Sequence, residues 1–164
     1  FIMFAGPNGS GKSTVRDTII NPVEVVIDPD KIAREIDPVD PKGAEMKAGR
    51  EALRRFDEAV ESGRSLPMET TLTGYSAIQR MRRAKDAGYD VLLIFVALDN
   101  PKMNVARVAE RVRKGGHHIP PELMRKRVEV SIGNLPVRCW MCGRHGDTRP
   151  LMTWNIICST KLEH

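Results

Sequence analysis

An α/β sandwich with a parallel sheet is the fold this sequence predicts, on three observations. Short apolar runs alternate with amphipathic stretches of helical period, the order that layers helices against a parallel sheet. One run, 91–98, is apolar throughout, as a central strand covered on both faces should be. The first run, Phe1 to Ala5, leads directly into Gly6-Pro-Asn-Gly-Ser-Gly-Lys-Ser13, which fills each fixed position of G-x-x-x-x-G-K-[ST]. Strand, glycine-rich loop and then the helix-like 14–20 is the order a phosphate-cradling loop requires. The expected architecture is therefore a three-layer sandwich of the P-loop NTPase and kinase type.

The elements follow in order. Residues 23–27 are rich in β-branched side chains after Asn21-Pro22 and read as the second strand. Asp28 suits a helix cap and Pro29 the first helical position of a short helix ending at Ile36. Asp37 to Gly43 is a loop by composition. From Glu45 to Glu61, Met46, Gly49, Leu53, Phe56 and Val60 recur at helical spacing and predict the inward face of a long helix. A short strand is expected at 66–68, running out into Glu69, Thr70 and Thr71. Its Pro67 favours an edge or the first strand position. Residues 76–87 predict a helix closed by Gly88. After the central strand, Asp99-Asn-Pro101 gives way to a helix over 104–114. Val105, Val108, Ala109 and Val112 form its expected inner face, with Arg107 and Arg111 one turn apart on the other side. Gly115 to Pro121 is a flexible loop, and a basic helix resumes over 122–132.

The loop fixes the chemistry. Its glycines let backbone N–H groups curl around a phosphate, and the following helix adds its positive end. The expected nucleotide-binding stretch is Gly6, Pro7, Asn8, Gly9, Ser10, Gly11, Lys12, Ser13 and Thr14. Lys12 would reach the β- and γ-phosphates and Ser13 would ligate Mg²⁺, making ATP and Mg²⁺ the expected cofactors. In such a fold the site lies at the carboxyl ends of the strands, where Asp28, Asp30, Glu69, Thr71 and Asp99 would gather. Phosphoryl transfer to a hydroxyl needs a carboxylate that orients the acceptor and takes its proton. Asp30 is the first candidate, with Asp28 as the helix cap. Glu69 and Thr71 could hold acceptor hydroxyls.

Composition narrows the class. The 164 residues suit one domain, and 41% hydrophobic with 29% charged residues is ordinary for a globular protein. No run approaches membrane-spanning length and no signal peptide is visible. Three cysteines, all after position 138, do not make a secreted disulfide framework, so a reducing cytoplasm is the expected location. The net charge of +5 is concentrated: 102–138 holds nine Lys/Arg against three Glu. Arg107, Arg111, Arg113, Arg125 and Arg127 flank Gly115-Gly116 there, the composition of a lid, about 102–130, that swings basic side chains over a triphosphate. Such a segment could instead serve nucleic acid, but aromatics at 5% offer no evident stacking platform. No strand ends in an Asp-Glu pair of the Walker-B kind, which favours a small kinase over a mechanical ATPase.

Four pieces taken together resemble the zeta-toxin family of P-loop kinases, especially its compact stand-alone members. They are residues 6–14, Ile27-Asp-Pro-Asp-Lys-Ile-Ala33, Glu69-Thr-Thr-Leu72, and Arg107 to His117 with Ile119-Pro120 and Arg125-Lys-Arg127. The resemblance covers 1 to about 136. It implies transfer of phosphate from ATP to the 3′-hydroxyl of the sugar in UDP-N-acetylglucosamine. Asp30 would be the base, Glu69 and Thr71 would contact the sugar nucleotide, and Arg111 would face the phosphates. A second arginine maps to Arg127, with Arg125 as its rival. An antitoxin partner is also implied. Another small hydroxyl compound, such as an antibiotic or nucleoside, would be served by the same parts.

The chain departs from that pattern at Val128, where such members often carry Tyr, and again after Pro136. Residues 1–136 are therefore taken as the kinase-like domain and 137–164 as an atypical C-terminal segment with room for one strand within 151–158. Cys139, Cys142 and His145 hint at zinc, but Cys158 is poorly spaced as a fourth ligand. Leu162-Glu-His164 resembles the start of an expression tag.

Overall fold

The computed structural model describes residues 1–19, 26–113, 119–140 and 153–158. Strand β1 (Ile2–Ala5) lies inside a parallel sheet of order β2-β1-β3-β4, with β2 (Pro67–Thr70), β3 (Leu92–Ala97) and β4 (Thr153–Cys158). Pro67 takes the first position of β2, where its missing N–H costs no ladder bond. The apolar run at 91–98 does become an interior strand, paired on both sides. Of the expected second strand, residues 23–25 lie outside the described residues. Ile27 makes a single parallel bridge to Met68 and is fully buried. The strand anticipated within 151–158 is present as β4, in register from Leu92 opposite Thr153 to Ala97 opposite Cys158.

Helices cover both faces. Helix α1 (Lys12–Ile19) starts inside the glycine-rich loop, and its Val15 packs with Phe4, Ile94 and Val96 on one face of the sheet. The larger core lies on the other face, under α2 (Pro29–Ile36), α3 (Glu45–Glu61) and α4 (Ser76–Asp86). It joins Met3, Phe56, Leu66, Met68 and Phe95. Phe1 meets Phe56 edge-on at 5.7 Å.

The inward face of α3 is only partly the one its large residues predict: Phe56 is buried and Val60 packs against the core, but Met46, Gly49 and Leu53 do not turn inward. Ala48, Ala52, Phe56 and Ala59 are buried, whereas Met46 and Leu53 are 72% and 44% exposed. Alanines let the helix approach its neighbours closely, so the buried stripe keeps Phe56 and turns from Met46 and Leu53 toward Ala48, Ala52 and Ala59.

Helix α5 (Pro101–Arg113) begins earlier than expected. It buries Asn104 and Val108, half-buries Val105 and Val112, and leaves Ala109 exposed. Ile119 and Met124 complete that small cluster. Helix α6 (Pro121–Trp140) runs past residue 132, through Gly133 and Pro136, and so crosses the expected composition boundary.

Candidate phosphate-binding cleft

The loop between β1 and α1 takes a shape that only glycine permits at its tightest points. Gly6 has φ 142°, and a Cβ there would sit 2.1 Å from the Val96 carbonyl oxygen. Gly9 has φ 75°, and its Cβ would fall 2.7 Å from the Asn104 carbonyl oxygen. Close packing against β3 and α5 thus requires both residues to lack a side chain.

Side chains from distant elements hold this loop. Asn104 Nδ2 donates to the Asn8 carbonyl at 2.9 Å, and Arg127 Nη1 donates to Asn8 Oδ1 at 3.0 Å. Helices α5 and α6 are therefore tied to the loop. Of the two rival arginines, Arg127 reaches the loop through Asn8 while Arg125 is exposed, and neither is among the residues lining the cleft beside the loop. Lys12 Nζ donates to the Pro7 carbonyl at 3.0 Å, arching back over the loop. Burial pushes the Lys12 ammonium below its ordinary pKa, while Glu69, Asp30 and Asp28 pull it back up.

Glu69 sits beneath the start of α1. Its Oε2 accepts from Ser13 Oγ at 3.2 Å, and its Oε1 accepts from Arg16 Nη1 at 2.5 Å. It is buried, and burial raises its pKa, helped by the nearby Asp28 and opposed by Lys12, Arg16 and Ser13. The Ser13 hydroxyl, backed by the Glu69 carboxylate, fits a hard divalent cation such as Mg²⁺ beside a bound phosphate.

A cleft of about 940 Å³ opens from this loop. Lys12, Ser13, Asp28, Asp30, Glu69, Thr71, Arg107 and Arg111 all line it, so most of the sequence-predicted residues share one space. Asp99 is not among them; it is exposed just past β3. Asp28 caps α2 as expected, its Oδ1 accepting from the backbone N–H groups of Asp30 and Lys31 at 3.0 and 3.3 Å. Its cap leaves Asp30 exposed in the first turn, facing the cleft and near enough to Lys12 to raise that ammonium's pKa. Thr71 Oγ1 pairs with Thr73 Oγ1 at 2.9 Å. The strand end beyond it is fixed by α6, with Ser131 Oγ donating to the Thr71 carbonyl and Asn134 Nδ2 to that of Leu72. Leu72 is fully buried at φ 58°, a conformation those bonds help to maintain.

Arg34 on α2 and Arg80 on α4 also line the cleft. The Arg80 Nε is buried without a hydrogen-bond partner among the described residues, and burial lowers its pKa against the pull of Asp57. Sequence reasoning missed both, together with Arg16 and Asn104. No motif marks them, because their roles depend on which helix face turns inward. His117, His118, Cys142 and His145, and the side chain of Cys139, lie outside what is described; among the described residues no group of three or more His, Cys, Asp or Glu could hold a metal. None of the described helices is long and apolar enough to cross a membrane.

The sequence profile described as zeta toxin matches residues 1–132. An uncharacterized protein of Haemophilus influenzae is 42% identical over 126 residues, 77% of this chain and 90% of that protein. Among solved structures, one from the PezAT chromosomal toxin–antitoxin system of Streptococcus pneumoniae aligns with a TM-score of 0.61 at 19% identity. It covers 85% of this chain, and the chain spans 60% of its length. A candidate kinase from Chloroflexus aurantiacus aligns with a TM-score of 0.62 at 16% identity, over 97% of this chain and 88% of that one. At these identities the two structures establish the shared α/β fold.

Proposed function

The chain belongs to the zeta-toxin family, and from that premise we propose that it is an ATP-dependent kinase. Its acceptor is the hydroxyl of a small anionic compound, UDP-N-acetylglucosamine or a related sugar nucleotide. The observation that carries this reading is the shared cleft, which puts a free carboxylate, Asp30, in the same space as Lys12 and Ser13 of the phosphate loop. Among the described residues the Asp30 carboxylate takes no hydrogen bond, so it is available to an acceptor. In this reading it orients the hydroxyl and receives its proton as the oxygen attacks the γ-phosphorus and the bond to the β–γ bridging oxygen breaks. Lys12, Arg111 and Arg127 offset the charge that spreads over the transferred group. Mg²⁺ would be held at Ser13 and supply charge neutralisation there.

Arg34 and Arg80 support an acceptor that itself carries phosphate, since two more cations line the cleft beyond those the nucleotide loop needs. Thr71 would contact the acceptor's sugar, with Glu69 nearby. The basic character of 102–138 supports the same reading over nucleic acid: Arg107 and Arg111 turn into the cleft and Arg127 holds the loop. The toxin–antitoxin neighbour supports an antitoxin as protein partner, and a cytoplasmic location follows from the proposed substrates.

The test is transfer of label from γ-labelled ATP to UDP-N-acetylglucosamine with Mg²⁺, the product resolved by chromatography and phosphorus NMR. The expected result is a labelled sugar nucleotide bearing a phosphomonoester. Label appearing only on another hydroxyl compound in a parallel acceptor panel would move the acceptor. No transfer to any acceptor by a protein that binds ATP would overturn the kinase reading.

A further inference from the structure

We propose that Arg16 is a positioning residue for the divalent-cation end of the nucleotide site, acting through Glu69 on Ser13. The inference rests on the reading above that the loop binds a metal-bound nucleotide. It is carried by how the Glu69 carboxylate is shared. Oε1 takes Arg16 Nη1 at 2.5 Å, and Oε2 takes the Ser13 hydroxyl at 3.2 Å. Both donors come from α1, three residues apart and so on one face, turned toward the end of β2. The Glu69 side chain is 8% exposed and that of Arg16 16%, so the pair is largely shielded from solvent.

The guanidinium is fixed from a second side. Arg16 Nε and Nη2 bind Asp17 Oδ1 at 2.9 and 2.8 Å. A planar fork can hold Glu69 with one arm and Asp17 with the other, whereas a lysine ammonium is a single point charge on a flexible stem. Arg16 is not among the residues lining the cleft, so it would act on substrate only through Glu69. With Oε1 held, the carboxylate plane is set and Oε2 is presented to Ser13, the residue that would ligate Mg²⁺. Groups in this outer position orient metal ligands, and their removal costs about 10–100-fold in metal affinity.

The experiment is a fluorescent ATP-analogue binding assay, titrated with Mg²⁺ and repeated in EDTA, on wild type, Arg16→Ala, Arg16→Lys, Glu69→Gln and the Arg16→Ala/Glu69→Gln double variant. Arg16→Ala is expected to raise the half-saturating Mg²⁺ concentration about tenfold while leaving metal-free nucleotide affinity within about twofold. Arg16→Lys should fall between, and keeps the question answerable if the alanine variant does not fold. The double variant should match Glu69→Gln alone, because Arg16 has no other route to the metal. An unchanged Mg²⁺ requirement in a folded Arg16 variant, or effects that multiply in the double variant, would overturn the proposal. Failure of wild type to bind nucleotide would overturn the nucleotide-site reading along with it.

Discussion

The two ends of the cleft are held in different ways. At the loop end, Asn8 is bonded by Asn104 and Arg127, Ser13 by Glu69, and the Gly6 N–H by the Thr70 carbonyl, so three elements, α5, α6 and β2, converge on one turn. At the other end, Asp30 and Arg34 are exposed on the short helix α2, and among the described residues their side chains bond to nothing. What fixes that end is the helix beneath them: the Asp28 cap, buried Ile32 and Ala33, and packing on α3. The difference suits the two tasks of the proposed kinase. A triphosphate is the same in each turnover and rewards a preformed cradle. A carboxylate that must accept a proton gains from having no competing partner.

Substitutions can break this division or sharpen it. The largest effect is expected at Lys12, which belongs to the loop. Lys12→Ala should reduce transfer by about 10³-fold or more, on the scale of losing a charge-stabilising group, and also weaken ATP binding. Steady-state transfer and equilibrium nucleotide binding check this together, and undiminished transfer would remove Lys12 from the chemistry. A smaller effect is expected at the arginines of α6. Arg127→Ala loses the bond to Asn8 and should weaken nucleotide binding by about tenfold, the cost of one charge-assisted hydrogen bond. Arg125→Ala, at an exposed site, should stay within about twofold in the same calorimetric titration. Equal losses at the two positions would mean that the loop is not tied to α6 as described.

The smallest effect lies at the ion pairs that join α2 to α3, behind the acceptor end. Arg55 bridges Glu35 on α2 and Glu51 on α3, and hydrogen bonds from Arg54 and then Arg55 draw the Glu51 carboxyl down to about 2. Because that value lies below the ordinary one, the link stabilises the fold above about pH 4.5 and is lost as pH falls toward 2. The pair is half-buried and open to solvent on one side, so the effect is slight and screened by salt. Glu51→Ala should leave nucleotide affinity unchanged and flatten the acid limb of a thermal-stability profile. A change in nucleotide affinity would show that the two ends are coupled through α3.

The same contrast governs how much could be read from the sequence. The loop was legible because its chemistry is local: four fixed positions, Gly6, Gly11, Lys12 and Ser13, within one turn, with strand and helix on either side. Asp28 as cap and Asp30 as the carboxylate behind it were legible for the same reason. The parallel sheet, with 91–98 inside it and Pro67 opening its strand, followed from apolar runs and the loss of one donor. The face of α3 followed only at Phe56 and Val60, since alanines at 48, 52 and 59 carry too little hydrophobic weight to outrank Met46 and Leu53 until the tightness of packing is known. Arg16, Arg34 and Arg80 were hidden because a surface arginine and a cleft arginine read alike along a chain. Glu69 was visible at a strand end, but its grip on Ser13 and Arg16 depends on β2 lying directly beside β1.

Asp30→Asn tests the central claim most directly, because it changes the free carboxylate and nothing that holds the loop. Nucleotide affinity and single-turnover transfer from ATP to UDP-N-acetylglucosamine would be measured on the same preparation. The account predicts affinity within about twofold of wild type and transfer slowed by about 10²–10⁴-fold, the range for loss of a positioned base. Transfer at the wild-type rate, or a fall in nucleotide affinity as large as the fall in transfer, would contradict it.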